Sequence, residues 1–292
     1  FWIRYEMTYD AFHEDAEQMY WVIQKNERKL PYPVSKYLKE HFAEIEDYAV
    51  FNNWESKLTY NQNTRTINYI SADSTFINMM NIHLLKGNIN FMIKGNNNVA
   101  ITESYAKELF GIENPLGKEV EINNNKKIIS AIISGWSKHS NLHYDILSNE
   151  GFYEGWQGAV CHILLKVKKG IDFKELEQKM NDAYPKEMEK HVPEGYQAFE
   201  LVPLTKVQYA KKSPVGDTKD KITFNYIVYF TITGILIIIC ALINYLSIFI
   251  NRIRIRQKEL ALRRVNGASK HSLSILLTTE FICLLVIAML VG

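Results

Sequence analysis

The sequence Gly234-Ile-Leu-Ile-Ile-Ile-Cys-Ala-Leu-Ile243 lies at the centre of an apolar stretch, 222–250, which has 29 residues and no charge. A helix of this length would extend about 40 Å, which exceeds the ~30 Å hydrocarbon core of a bilayer. Tyr226 and Tyr229 near its start suit the membrane interface, where aromatic side chains are enriched. The stretch is therefore predicted to be a transmembrane helix, and a buried helix of a soluble protein is the alternative.

A second apolar stretch, 272–292, contains a single charged residue, Glu280. It is predicted to be the truncated start of another transmembrane helix. Carboxylates inside a bilayer are costly and often functional. Glu280 lies about two helical turns into the stretch, so two interpretations stay open. It is either a functional intramembrane carboxylate or a carboxylate that water and lipid headgroups reach.

The segment between the two apolar stretches, 251–271, is basic. From Asn251 onward the chain has seven Lys and Arg residues and two acidic residues, whereas the first 250 residues have a net charge of −3. Short basic loops remain in the cytoplasm. The segment is therefore predicted to be cytoplasmic, and residues 1–221 are predicted to form an extracytoplasmic domain on the other side of the membrane.

The composition of the whole chain excludes several classes of protein. A net charge of +2 over 292 residues argues against nucleic-acid binding, which needs clustered basic residues in excess. Cys161, Cys240 and Cys283 lie far apart and have no disulfide or zinc-site spacing. The opening Phe1-Trp2-Ile3-Arg4-Tyr5 has the character of an interfacial helix end, so the chain is interpreted as a fragment.

Residues 1–221 alternate strand and helix patterns, which predicts an α+β domain of two small subdomains. Lys206–Lys221 is polar and is interpreted as the linker to the membrane. Two helices are predicted from apolar stripes at helical spacing, one formed by Phe12, Ala16, Met19, Tyr20 and Ile23 and the other by Val34, Leu38 and Phe42. A third helix is predicted over residues 103–110, between Thr102 as its N-cap and Gly111 after its end. A fourth is capped by Asp172 and Glu175, and its predicted buried face is Phe173, Leu176, Met180 and Ala183. Predicted strands are residues 20–23, 98–101, 159–167, and a hairpin of 119–122 with 126–134.

Two candidate sites in this domain were weighed against structural roles. The segment 111–119 is similar to a phosphate-binding loop, but five residues separate its glycines and Glu119 follows Lys118, where that loop needs Ser or Thr. His139 and His143 are four residues apart near Asp145, although solvated or hydrogen-bonding histidines fit their loop-like surroundings better than metal ligands do. We therefore predict neither a catalytic, metal or cofactor site nor enzymatic activity in this chain.

The basic segment contains a short regular pattern, Arg256-Gln-Lys-Glu-Leu-Ala-Leu-Arg-Arg-Val-Asn-Gly-Ala-Ser269. Glu259 can pair with Arg263 at i+4, Gly267 can end a helix, and Ser269 can cap the next one. Two interpretations fit. Either this is a solvated basic helix that fixes topology, or it is a helix that docks into a groove of another protein.

This pattern resembles a signature of the permeases of MacB/FtsX-type ABC transporters, in which it links the second and third transmembrane helices. The domain before it is similar to the periplasmic core domain of the same permeases. Tyr9–Tyr20 corresponds to the opening helix of that domain, and Val99–Gly111 with Asn114–Lys118 corresponds to its middle. The resemblance extends over essentially the whole chain.

The resemblance implies a multi-pass permease of the bacterial inner membrane, surrounded by lipid, with a large periplasmic domain and without its first and last transmembrane helices. It would form a homodimer or pseudo-dimer, work with a separate ABC ATPase, and transmit ATP-driven movement during efflux of a drug, peptide, lipid or lipoprotein. A membrane-fusion or outer-membrane protein is a further implied partner. The alternative is a signalling permease that activates a cell-wall hydrolase. The implied ATPase-coupling residues are Arg256, Lys258, Glu259, Leu260, Leu262, Arg263, Arg264, Gly267, Ala268 and Ser269.

The predicted topology is testable by cysteine labelling. In a chain whose native cysteines are replaced by serine, Lys270→Cys should react with a membrane-impermeant maleimide only after the cells are permeabilised, because the basic segment is cytoplasmic. Asn124→Cys, in the predicted hairpin turn, is the control and should react in cells whose inner membrane is intact. Labelling of position 270 from outside would contradict the topology.

Overall fold

The computed structural model of the chain describes residues 8–24, 28–136, 139–156, 161–188, 198–210 and 224–291. The chain divides into two compact units, Phe1–Thr223 and Phe224–Gly292. The first unit is mixed α and β, and the second is helical. The opening residues that we interpreted as the end of an earlier helix lie outside the described residues, as do residues 211–221 of the predicted linker.

The first unit contains ten strands and four α-helices among its described residues. The helices are Tyr32–His41 (α1), Ser74–Met79 (α2), Glu103–Phe110 (α3) and Phe173–Met188 (α4). The strands are Met19–Gln24 (β1), Ile45–Tyr60 (β2), Asn63–Ala72 (β3), Leu84–Gly87 (β4), Asn98–Thr102 (β5), Glu119–Ile122 (β6), Asn125–Ile133 (β7), Ile146–Ser148 (β8), His162–Val167 (β9) and Phe199–Pro203 (β10).

All ten strands belong to one sheet, in the order β10-β1-β9-β2-β3-β8-β5-β7-β4, with β6 pairing both β2 and β7. The first half of β2 pairs with β9, and its second half pairs with β3 up to Tyr60 opposite Asn63. At its far end Leu58 pairs with Ile122 of β6, which closes β2, β3, β8, β5, β7 and β6 into a hydrogen-bonded ring. The two small subdomains that the sequence predicts share one sheet, because the 16-residue strand β2 belongs to both the open part of the sheet and the ring.

The open part of the sheet is buried on both faces. Along β1, Met19, Trp21 and Ile23 pack into one apolar cluster, whereas Tyr20 and Val22 pack into another. Side chains alternate between the faces of a strand, so five consecutive residues of β1 are buried in turn. The second of these clusters includes side chains of α1 and α4, and a third cluster in the closed ring includes side chains of α3.

This two-sided burial corrects one predicted helix. The stripe from Phe12 to Ile23 has helical spacing, but residues 8–15 form turns, Ala16–Gln18 is one short 3-10 helix, and β1 begins at Met19. Phe12 is exposed. A strand that is buried on both faces is apolar at every position, and such a run contains the positions of a helical stripe by coincidence.

Several other local predictions are confirmed. The hairpin of β6 and β7 turns at Asn123 and Asn124, whose φ angles of 49° and 67° are those that asparagine tolerates best after glycine. Thr102 caps α3, since its Oγ1 accepts from the Tyr105 amide at 3.4 Å, and Gly111 follows the last residue of that helix. Cys161 is buried, as its predicted strand environment requires.

The helix α4 is confirmed in part. The Asp172 carboxylate accepts a hydrogen bond from the Lys174 amide at 2.9 Å, and Leu176 and Met180 are buried. Glu175, which was predicted to complete the cap, forms an ion pair with Lys179 at 3.0 Å. Ala183, which was predicted to lie on the buried face, is exposed.

A buried histidine gives the first unit a testable pH dependence. His162 packs against the rings of Trp21 and Phe51, with ring centroids 5.5 Å and 5.3 Å away. Burial lowers its pKa to about 3, and the nearby positive charge of Lys29 acts in the same direction. A histidine in the unfolded chain has a pKa of about 6.5. At pH values between about 3 and 6.5, His162 is therefore protonated in the unfolded chain and neutral in the folded chain.

We expect the free energy of unfolding to fall as the pH decreases below about 6.5, with His162 contributing about 1.4 kcal/mol per pH unit. His162→Phe keeps a ring against Trp21 and Phe51 and should remove that contribution. Urea unfolding of the purified chain in detergent at pH 7 and pH 5, followed by tryptophan fluorescence, measures the difference. Equal losses of stability in the native and variant chains would show that His162 is protonated in the folded state.

Candidate functional site

The second unit contains the segment that the sequence singled out. Its helices are Phe224–Ile255 (α5), Gln257–Val265 (α6) and Lys270–Val291 (α7). Within α5, Val228–Ile255 is long and apolar enough to cross a membrane, with a mean hydropathy of 2.4. Among the described residues it is the one helix that meets this test, and none of its most apolar window is buried inside the protein. A buried helix of a soluble protein does not have this exposure.

The junction between α5 and α6 is a single residue, Arg256. Its backbone angles, φ −88° and ψ 10°, are close to helical, and its amide donates to the carbonyl oxygens of Arg252 and Ile253. The carbonyl of Arg256 in turn accepts from the Leu260 amide at 3.1 Å. The backbone thus passes from α5 into α6 with hydrogen bonds on both sides of the junction.

The end of α6 is a tightly bonded turn. Gly267 has a φ of +92°, its amide donates to Arg264, and the Ala268 amide donates to Arg263 at 3.1 Å. These two bonds form a Schellman motif, in which glycine supplies the left-handed residue. Gly267 therefore ends the helix as predicted. Ser269 starts the next helix as predicted, because its Oγ accepts from the Ser272 amide at 3.1 Å.

The surface of α6 combines four charged side chains with exposed apolar ones. Glu259 and Arg263 form the predicted i+4 ion pair at 2.8 Å. Leu262 and Val265, one turn apart, expose 65% and 84% of their surfaces. Leu260 is only partly exposed. A short capped helix that presents both guanidinium groups and aliphatic side chains can form polar and apolar contacts with a groove in another protein.

The structure also joins two residues that sequence spacing did not connect. The Arg256 Nη1 lies 3.2 Å and 3.3 Å from the two carboxylate oxygens of Glu280 in α7. Next to this pair, Phe281 packs against Tyr245 and Phe249 of α5, with ring centroids 5.1 Å and 5.0 Å apart. The only sequence signal for this contact was a single carboxylate in an otherwise apolar run.

The two candidate sites of the first unit have structural roles. Lys118, in the segment similar to a phosphate-binding loop, forms an ion pair with Glu113 and lies 5.1 Å from the centre of the Phe110 ring. Gly117 has a φ of +78° and forms the turn before β6. His139 lies within 3.3 Å of the Thr8 hydroxyl and against the Tyr9 ring. In the described part of the chain, His, Cys, Asp and Glu form no group of three or more suited to a metal ion.

Comparison with known proteins places the first unit in a family. The family of MacB-like periplasmic core domains matches residues 3–183, more than half of the chain. Among solved structures, a domain of a protein described as a permease from Porphyromonas gingivalis is similar in fold, with a TM-score of 0.56 and 16% identity over 65% of this chain and 92% of that one. Among curated proteins, none matches the sequence significantly.

Two further solved structures are related less closely in shape. The periplasmic region of MacB from Actinobacillus actinomycetemcomitans gives a TM-score of 0.49 and 15% identity, over 66% of this chain and 92% of that one. The extracellular domain of the noncanonical ABC-type transporter YknZ from Gram-positive bacteria gives a TM-score of 0.48 and 11% identity, over 63% of this chain and 99% of that one.

The cap at Ser269 leads to a local prediction. Ser269→Ala removes the acceptor for the Ser272 amide and should destabilise the first turn of α7 by about 1 kcal/mol. Hydrogen exchange of residues 270–273 should then be about fivefold faster. Ser274→Ala, within α7, removes a similar hydroxyl away from the cap and should leave this exchange unchanged. Equal effects of the two changes would mean that the cap does not stabilise the helix start.

Proposed function

The chain belongs to the family of MacB-like periplasmic core domain proteins, which are permease components of ABC-type transporters, and from that premise we propose that it is the permease subunit of an exporter. In this proposal the chain has no ATPase activity. A separate ATPase hydrolyses ATP, and the permease transmits the resulting movement to its periplasmic domain. Support comes from the mixed α and β unit, the family match, and the apolar helix that is followed by a basic one.

The proposed membrane arrangement follows from charge and hydropathy. Residues 1–221 lie in the periplasm, 222–250 cross the inner membrane, 251–271 lie in the cytoplasm, and 272–292 begin the next span. The exposed apolar surface of α5 is stable only where lipid or other apolar helices cover it. Four arginines and one lysine between 252 and 263 favour the cytoplasmic side for α6.

We further propose that α6 is the coupling helix that contacts the ATPase. The observation that carries this proposal is the hydrogen bonding at both ends of α6, through Arg256 and through the turn at Gly267. A force applied to α6 would not be absorbed by a flexible loop, because bonded backbone connects it to both long helices. The proposed coupling residues, which contact the ATPase or connect α6 to its neighbouring helices, are Arg256, Lys258, Glu259, Leu260, Leu262, Arg263, Arg264, Gly267, Ala268 and Ser269.

Our proposals for the cargo and for further partners rest on the family to which the chain belongs. We propose efflux of a drug, peptide, lipid or lipoprotein by a homodimer or pseudo-dimer of permeases, with a membrane-fusion or outer-membrane protein as an additional partner. In this proposal the periplasmic domain serves binding and movement.

Coupling can be tested with substitutions on α6. Changing Glu259, Arg263 and Arg264 together to alanine should lower ATP hydrolysis by the complex with the partner ATPase about tenfold, because charged contacts are lost while helix propensity is kept. The matched control changes Arg252 and Arg254, at the end of α5, to alanine and should stay within about twofold of native activity. Unchanged complex formation and hydrolysis in the triple variant would refute the assignment of α6.

A further inference from the structure

The ion pair between Arg256 and Glu280 suggests a role inside the subunit. We propose that it locks α6 to α7, so that movement of α6 is transmitted to the second long helix as well as to α5; this inference rests on the proposed coupling function. Arg256 is then a positioning residue within the permease. Its guanidinium group acts on Glu280, and the ATPase is contacted by residues further along α6.

The geometry supports a specific pair. One guanidinium nitrogen of Arg256, Nη1, lies within hydrogen-bonding distance of both Glu280 carboxylate oxygens, at 3.2 Å and 3.3 Å. From Phe224 onward the chain has only two acidic residues, Glu259 and Glu280. Glu259 pairs with Arg263 inside α6, and Glu280 pairs with Arg256 across to α7. Each carboxylate of the second unit thus has its own arginine.

The position of Glu280 explains why the pair should persist. Glu280 is ten residues beyond Lys270, so it lies about 15 Å along α7 from the helix start. A carboxylate at that depth is costly in hydrocarbon unless a cation accompanies it. The long side chain of Arg256 can bring its charge to Glu280 while its backbone stays at the end of α5. This favours the functional interpretation of the carboxylate that the sequence left open.

Apolar contacts hold the same two helices together at the pair. One helical face carries Tyr245 and Phe249 of α5 and the junction residue Arg256, since their spacing is i, i+4 and i+11. This face meets the adjacent residues Glu280 and Phe281, and the Tyr245 hydroxyl donates to the Phe281 carbonyl at 3.3 Å. The ion pair therefore extends an interhelical contact that aromatic packing already aligns.

The ion pair gives α6 a second attachment to α7, at the end where α6 begins. At one end α6 begins at Arg256, and at the other end the turn 266–269 connects it to the capped start of α7. The Arg256–Glu280 contact joins the first of these ends to a position ten residues into α7. With both ends of α6 attached to α7, α6 and the first three turns of α7 should move as one body.

A charge swap tests this inference. The full chain is reconstituted in lipid nanodiscs with the ATPase that co-purifies with it, and ATP hydrolysis and retained ATPase are measured. Glu280→Gln should keep ATPase binding within about twofold while lowering hydrolysis by the complex about tenfold. Combining Arg256→Glu with Glu280→Arg should restore hydrolysis to within about threefold of native. Arg254→Gln, a neighbouring arginine outside the pair, is the control and should match the native chain.

The outcomes separate this inference from the proposed function. If the charge swap fails to restore hydrolysis and Arg256→Gln loses the ATPase, then Arg256 contacts the ATPase directly and the inference is overturned, while the coupling function stands. If the native chain retains no ATPase, the proposed function fails. In that case thermal unfolding of the same variants still tests the lock, because the swap should recover the unfolding temperature that either single change lowers. No recovery would overturn the lock itself.

Discussion

The exclusion of charge from hydrocarbon is the constraint on which the second unit depends. An apolar helix that buries little of its surface inside the protein is stable only in an apolar surrounding, and the most apolar part of α5 has this character. Charge is consequently concentrated where α5 ends, and α6 carries it. If the next apolar run also crosses the membrane, as proposed, the same constraint accounts for the contact between Glu280, its one charge, and the guanidinium group of Arg256.

The first unit follows a different rule, the burial of a sheet on both faces. Its centre is built from β1, β9 and β2, whose side chains alternate between two apolar clusters. The length of β2 then carries the sheet into the closed ring, where a third cluster forms. A domain connected in this way deforms as a whole, because displacement of one part is resisted by strands that it shares with the other. This property suits a domain that is proposed to transmit movement.

Local structure was predictable where it depends on residues close in the sequence. The Asn123 and Asn124 turn, the Thr102 cap, and the stop at Gly267 with the cap at Ser269 were predicted correctly, because each needs only a few neighbouring hydrogen bonds. The helix predicted from Phe12 to Ile23 was wrong, because burial on the second face of β1 comes from elements far along the chain. For the same reason the sequence did not show that the two predicted subdomains share β2, which pairs with β6 and β9 across more than sixty residues.

The sequence by itself determined the α+β class, the long apolar helix, the family resemblance and the charged helix that follows, because composition, period and short capping motifs act locally. Only the tertiary structure decided that the sheet is continuous and closes into a ring. It also decided which arginine meets Glu280, since seven basic residues share that part of the chain. The reason is geometric: a contact between residues 24 positions apart depends on the packing of α5 against α7, which no local pattern encodes.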